Sequence, residues 1–407
     1  MMKRDFAGSS TPNEYGRGLL RRLRRAASGV RIVFALSLGV GAFACSDSDI
    51  EEQLQKDVEA IARTNATPGV VAEFATEDED DRVAVRTGVG DRETGQPVPF
   101  DGYFRVASNT KTYVAIVALQ LVAEGQLSLQ DTVEAWLPGL VAGNDNDGRA
   151  ITLRHLLQQT SGLFDYDNAL PALTSADDYV RDRLRIYSAE QLIEMAMKFP
   201  PDFEPGERWS YSNTNYILTG MIIERATGRT WQEEVIERVI EPLGLTATFP
   251  SGTSPDLPDP HARTYQQFSP GGELVDTTVF VDNHADGAIV STTGDNNRFF
   301  RGLLSGELLP SAQLAEMLTT VVAEENHIIM PDAEYGLGLF WQPLPCSDDG
   351  YWSHGGDGLG YSNRDGVTPD GTRSVTLFMT GRGADVDALI EREALGRELV
   401  AHALCDG

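Results

Sequence analysis

Strand-forming patterns occupy the two ends of this chain and are scarce between about residues 110 and 280, so a sheet must be assembled from pieces far apart in sequence. On the N-terminal side, Val70 to Ala75 and Arg82 to Val89 read as two strands joined by the acidic turn Glu77 to Asp81. On the C-terminal side, Tyr335 to Pro343, Tyr351 to His354 and Val375 to Thr380 are bounded by Gly and Asp turns. Helical spacing marks Ile50, Leu54, Val58 and Ile61, and again Val114, Val117, Ala118 and Leu121, with Gly125 as a stop. Further helices are predicted around Leu153 to Gln158, Ala189 to Lys198, Ile217 to Ala226 and Trp231 to Val239. A last one has Val386, Leu389, Ile390, Leu399 and Val400 inward. The fold class is α/β of the mixed α+β type. An antiparallel sheet is built from both chain ends (about 50–108 and 281–407) and flanked by helices, with a mainly helical inserted subdomain (about 109–280).

The 407 residues carry 61 acidic against 33 basic side chains, a net charge of −28 that repels phosphate backbones and argues against nucleic acid as a partner. Such a surface suits either salty surroundings or an exported protein kept soluble by its charge. The acidic turn reads as a solvated loop. Asn144 to Gly148 resembles a calcium loop, but Arg154 stands where the closing glutamate belongs.

Residues 1–44 run against the overall charge, with Lys3, Arg4, Arg17, Arg21, Arg22, Arg24, Arg25 and Arg31 against Asp5 and Glu14. The uncharged run from Ile32 to Ala44 is too short for a bilayer span, which needs about 20 residues, and has the layout of a secretory signal. Ala42-Phe43-Ala44 suits ordinary cleavage, whereas Cys45 suits acylation as the first residue of a bacterial lipoprotein. The expectation is an exported protein, periplasmic or held at the cell envelope by a lipid on Cys45, or secreted freely. Cys346 and Cys405 remain, an even number in an oxidising compartment, and are expected to pair.

No G-x-S-x-G, P-loop or H-E-x-x-H occurs, the six histidines lack ligand spacing, and Gly356 to Gly360 lacks dinucleotide spacing, so neither metal nor cofactor is expected. What remains is Ser108-Asn109-Thr110-Lys111, where a strand region meets an apolar helix. At i and i+3 of a helix, hydroxyl and amine share a face and can share a proton. The spacing alone also fits an N-cap serine followed by a surface lysine.

The surrounding stretch, Phe104-Arg105-Val106-Ala107-Ser108-Asn109-Thr110-Lys111-Thr112, closely resembles the active-serine segment of the penicillin-recognising serine hydrolases. These comprise class C β-lactamases, D-alanyl-D-alanine carboxypeptidases and esterase relatives, and S-x-x-K is their known nucleophile motif. The resemblance runs from about Ile50 to Leu404 and includes Gly287 to Arg298 and Tyr335 to Trp341. The family pattern continues with Tyr-x-Asn, then a basic residue followed by x-Gly. Of three Tyr-x-Asn triplets, Tyr361-Ser362-Asn363 comes too late. Tyr166-Asp167-Asn168 follows Thr160-Ser161-Gly162-Leu163, itself a family-like stretch that precedes the tyrosine motif. Pro205 to Asn213 leads into a helix, so Tyr211 and Asn213 are the match, and His354-Gly355-Gly356 is the sole His-x-Gly.

The resemblance implies a β-lactamase/DD-peptidase-like fold and cofactor-free acyl transfer. Ser108 attacks a carbonyl, and water later releases the acyl group. The base is either neutral Lys111 or a Tyr211 phenolate beside cationic Lys111. Asn213 would orient Lys111 and a substrate amide. The backbone N–H groups of Ser108 and Asp357 would form the oxyanion hole, with Gly355 and Gly356 letting substrate approach the strand. His354 stands where class C β-lactamases place lysine; protonated, it could hold a substrate carboxylate. It shifts the expectation to a D-alanyl-D-alanine carboxypeptidase or D-amino-acid peptidase, with carboxylesterase or class C-like β-lactamase as alternatives. Asp357 places negative charge near that carboxylate site and keeps the esterase open. The partners implied are peptidoglycan stem peptides, β-lactams or small esters. A non-catalytic peptidoglycan-binding lipoprotein is opposed by the three intact motifs.

Overall fold

The computed structural model describes residues 47–78, 81–324 and 329–406, and the expected signal segment and Cys45 lie outside them. In chain order the elements used below are α1 (Asp47–Ala62), β1 (Gly69–Thr76), β2 (Arg82–Gly88), α2 (Thr110–Ala123), α3 (Thr214–Thr227), α4 (Thr293–Leu304), β3 (Val321–Val322), β4 (Glu334–Tyr335), β5 (Phe340–Leu344), β6 (Ser347–Ser353), β7 (Gly356–Gly358), β8 (Tyr361–Val367), β9 (Arg373–Met379) and α5 (Val386–Asp406). The sheet has the order β3-β4-β5-β6-β8-β9-β1-β2, with β7 paired to β8. Val70 lies opposite Met379 and Phe74 opposite Val375, so the two chain ends meet antiparallel within it.

Alternation along β1 explains the layers. Val70, Ala72 and Phe74 join Val375, Leu377 and Met379 against Ile50, Leu54, Val58 and Ile61 of α1 and Leu399, Val400, Ala403 and Leu404 of α5. Each of these side chains larger than alanine contributes about 1.5–3 kcal/mol by leaving water. The opposite face carries α4 and the helical part around α2, whose residues from Thr110 to Leu119 are all buried. A helix apolar all round belongs in the middle of a domain.

Several expectations shift. The run from Tyr335 to Pro343 is two strands, β4 and β5, broken where Gly338 adopts φ +95°. Trp231–Val235 passes into a π-helical turn, Ile236–Ile240. The stretch expected to be helical up to residue 280 contains short strands at Phe249–Pro250, Tyr265–Gln267 and Leu274–Asp276. In α5 only Leu399 and Val400 of the five expected inward residues are buried. Its first half buries Arg392, which donates to Gly381 O (2.5 Å) and Ser362 Oγ (2.9 Å), and Glu393, which pairs with Arg364. The loop resembling a calcium site is a hairpin whose Asn144 and Asn146 amides donate to Met197 O and Phe199 O.

Cys346 and Cys405 are joined, tying the β5–β6 turn to the end of α5 across 59 residues of chain. On the chain-entropy model this closure contributes about 4 kcal/mol. Cys405→Ser is expected to lower the urea-unfolding free energy by that amount, and alkylation of both Cys346 and Cys405 in urea without prior reduction would count against the bond.

Candidate active site

The chain enters the site along Phe104–Arg105, paired with Ser291 and Val290, and turns sharply at Ala107, whose φ of +47° lies in the left-handed region. A residue with a Cβ pays about 1–2 kcal/mol there, so neighbours must hold it. Val106 N–H donates to Ile289 O (2.9 Å), Asn363 Nδ2 to Val106 O (3.1 Å) and Asn109 Nδ2 to Asp365 Oδ2 (2.7 Å). Asp365 also accepts the backbone N–H groups of His354 and Gly355, so one buried carboxylate links the nucleophile turn to the third motif. A Cβ on Gly356 would sit 2.2 Å from Val106 O. The glycine was expected to make room for substrate, but here it lets β7 lie directly against the turn that carries Ser108. Gly355 is required by its φ of +72°.

Ser108 Oγ accepts hydrogen bonds from Tyr211 Oη at 2.9 Å and Lys111 Nζ at 3.1 Å. Lys111 is 0% exposed and also donates to Asp286 O at 2.7 Å. Burial pulls its pKa below that of an ordinary lysine, against the opposing pull of Asp286, Asp165, Asp282 and Asp167. Burial pushes the Tyr211 phenol well above its usual range. Asp165 and Asp282 are each raised to about 7, by burial first and then by Asp167 and Asp286 respectively. Asn213 does not meet Lys111 as expected: its N–H and Nδ2 donate to Asp165 at 3.1 and 3.3 Å, and the Asp286 carbonyl orients the lysine instead.

Three residues outside the expected set complete this frame. Tyr166, from the triplet set aside, donates its hydroxyl to Asp286 Oδ2 at 2.7 Å. Gln159, at φ +60°, accepts Ser212 N–H and Asn215 Nδ2 on its side-chain oxygen and Ser210 N–H on its carbonyl. Ser161 donates to Asn215 Oδ1 at 2.6 Å. The stretch from Gln159 to Ser161 therefore braces the segment that delivers Tyr211. Its only sequence signal was the resemblance of Thr160 to Leu163, and nothing distinguished Asp286 in so acidic a chain.

His354 is 7% exposed and lies among Tyr335, Phe340 and Tyr211. Its Nδ1 meets the Gly355 carbonyl at 2.9 Å, which can only accept, so Nδ1 carries the proton and Nε2 accepts from Tyr335 Oη at 3.2 Å. Burial, then the nearby Lys111 cation, lowers its pKa to about 3. The ring is neutral at neutral pH and has no charge for a substrate carboxylate. Because the folded-state pKa lies below the unfolded 6.5, the contribution is full above pH 6.5 and is lost as pH falls toward 3, at about 1.4 kcal/mol per unit. His354→Gln should remove that slope from the difference in urea stability between pH 7 and pH 4; equal slopes would refute the assignment.

Asp357 on β7 is not a bare charge. Arg364 Nη2 lies 3.1 Å from both carboxylate oxygens and Ser362 Oγ donates at 2.6 Å. Partial burial raises its pKa, but Arg364 and Arg382 outweigh that and hold the carboxyl below the usual range. Among the described residues, no group of three His, Cys, Asp or Glu side chains is placed to hold a metal ion.

A hydroxyl that accepts from a buried amine and a phenol, on a strained turn at the start of a buried helix, is an acyl-transfer arrangement. The Beta-lactamase family profile matches residues 52–398. The chain belongs to this family. It has the family's mixed sheet-and-helix fold. A D-stereospecific amidohydrolase from Streptomyces sp. is 37% identical, with a TM-score of 0.74 over 84% of this chain and 98% of that one. D-amino acid amidase from Ochrobactrum anthropi SV3, 24% identical with a TM-score of 0.74 over 88% of this chain and 97% of that one, shows the shared fold. Penicillin-binding protein 4* of Bacillus subtilis (strain 168) is 29% identical over 280 residues, 66% of this chain. Esterase EstB of Burkholderia gladioli is 33% identical over 222 residues, 52% of this chain. The match spans 58% and 54% of the length of these two curated relatives.

Proposed function

We propose that the protein cleaves amide and ester bonds of small D-aminoacyl compounds through an ester on Ser108. The observation carrying this is the pair of hydrogen bonds that Ser108 Oγ receives from Tyr211 and Lys111. With Lys111 neutral, the serine proton passes to Nζ as Oγ bonds to the carbonyl carbon. Tyr211, held as a phenol by burial, then gives its proton to the departing nitrogen and regains one from the Lys111 ammonium. Water repeats the sequence in reverse to free the acid. The 37% identical D-stereospecific amidohydrolase supports the D-aminoacyl reading. Neutral His354 and the acidic groups around Lys111 disfavour a substrate carboxylate near the amine, which favours amides over C-terminal dipeptides. The likeness to Esterase EstB supports ester cleavage at the same serine. The proposal has the protein exported, on the signal layout of residues 1–44 and the disulfide.

The test is release of p-nitroaniline from D- and L-alanine p-nitroanilide, each against a Ser108→Ala blank. A D preference of about a hundredfold or more is expected. Equal rates, or an L preference, would overturn the stereochemical reading. Faster turnover of D-alanyl-D-alanine than of the amide would restore the carboxypeptidase.

A further inference from the structure

A cavity of about 60 Å³ lies behind the nucleophile turn and is bounded by Ala107 on one side and Asp357 and Gly358 of β7 on the other. That is room for several water molecules or a short side chain. Leu257, Phe280, Leu359 and Tyr361 make its walls apolar, and Arg105 is among the residues that line it. Arg105 is 5% exposed. Its Nη2 donates to Pro255 O at 2.6 Å and Phe280 O at 2.8 Å, while Nη1, also shut off from solvent, has no hydrogen-bond partner. Asp282, on the same wall, acts on this charge at longer range. A buried donor left unmet is costly, and a ligand oxygen that meets it gains what the empty site lacks.

We infer that this cavity is the acyl-side specificity pocket, and that it takes a short substrate side chain, apolar along its length and ending in an acceptor oxygen, which Arg105 Nη1 reads. The assignment to the acyl side rests on the proton path just proposed. The leaving group departs toward Tyr211, and neither Tyr211, Lys111 nor His354 lines the cavity. Ala107, the chain neighbour of Ser108, does line it, and on that contact the part of the substrate bonded to Ser108 is the part that enters. The inference depends on the acyl-enzyme reading but not on substrate stereochemistry.

The test uses achiral p-nitrophenyl esters in isosteric pairs: 4-oxopentanoyl against 4-methylpentanoyl, and 5-oxohexanoyl against 5-methylhexanoyl. For at least one pair the wild-type kcat/KM should favour the ketone about tenfold or more, because a site built around a polar group rejects the analogue that leaves it unpaired. Arg105→Met should reverse that preference while still releasing a burst of p-nitrophenol. Because this buried substitution can compromise folding, the wild-type ratios decide alone if its melting curve shows loss of structure. Smaller ratios at both lengths, or a preference for the methyl compounds, would overturn the pocket and leave acyl transfer standing. An absence of Ser108-dependent hydrolysis of all four esters would overturn both.

Discussion

Ser108→Ala is expected to abolish covalent capture of a fluorescent penicillin, or of a fluorophosphonate if the β-lactam ring is not accepted, and to lower kcat for amides and esters by about 10⁴-fold or more. The size follows from the chemistry: without Oγ there is no acyl ester, and only substrate binding and the oxyanion donors remain to assist attack by water. The folded state should not suffer. Oγ is the acceptor of half-buried Tyr211 Oη and of buried Lys111 Nζ, but Lys111 keeps its bond to the Asp286 carbonyl, and the Ala107 turn is held by Asn363, Asn109 and Asp365 rather than by the serine side chain. Intact-protein mass spectrometry after reagent treatment separates the outcomes, with one adduct on the wild type and none on the variant at matched melting temperatures. Equal labelling of both proteins would remove Ser108 from the mechanism.

The parts of the site legible in the sequence are those whose chemistry is local. Ser108 and Lys111 lie one helical turn apart, and Tyr211 lies just before α3, so residue type and spacing locate them. Pairing of the chain ends was legible for the same kind of reason, since β1 and β9 are rich in apolar residues that join one buried layer. β8 was not legible. Its sequence, Tyr-Ser-Asn-Arg-Asp-Gly-Val, is polar through the middle, yet Ser362, Asn363 and Asp365 are buried because each makes a specific bond to Arg392, Val106 or the third motif. The first half of α5 misled for the complementary reason, burying Arg392 and Glu393 rather than its aliphatic residues. Tyr166 was set aside and Asp286 escaped notice because their role exists only once residues 120 positions apart meet. Hydrophobic pattern thus reports the layers, whereas the polar frame that positions Ser108 is written in pairings that no single segment displays.

Lys111→Met is expected to lower kcat/KM for amides by about 10³–10⁴-fold with little loss of stability, and Tyr211→Phe by about 10²-fold, more for amides than for activated esters. Methionine fits the buried space without the desolvation that the amine carries, so folding should tolerate it. The asymmetry between the two residues comes from what burial does to each. It destabilises the lysine cation, making neutral Nζ available to accept the serine proton, and it destabilises the phenolate, keeping Tyr211 a donor whose value lies in protonating a poor leaving group. kcat/KM should therefore fall as pH drops through the Lys111 pKa, below the lysine value of 10.5, and this acid limb should survive in Tyr211→Phe. The acids around Nζ hold that pKa up, so Asp165→Asn should move the limb to lower pH, and Asp282→Asn should act in the same sense. A tyrosine variant that loses the acid limb, or an Asp165→Asn profile displaced upward, would transfer the role of base from Lys111 to the Tyr211 phenolate.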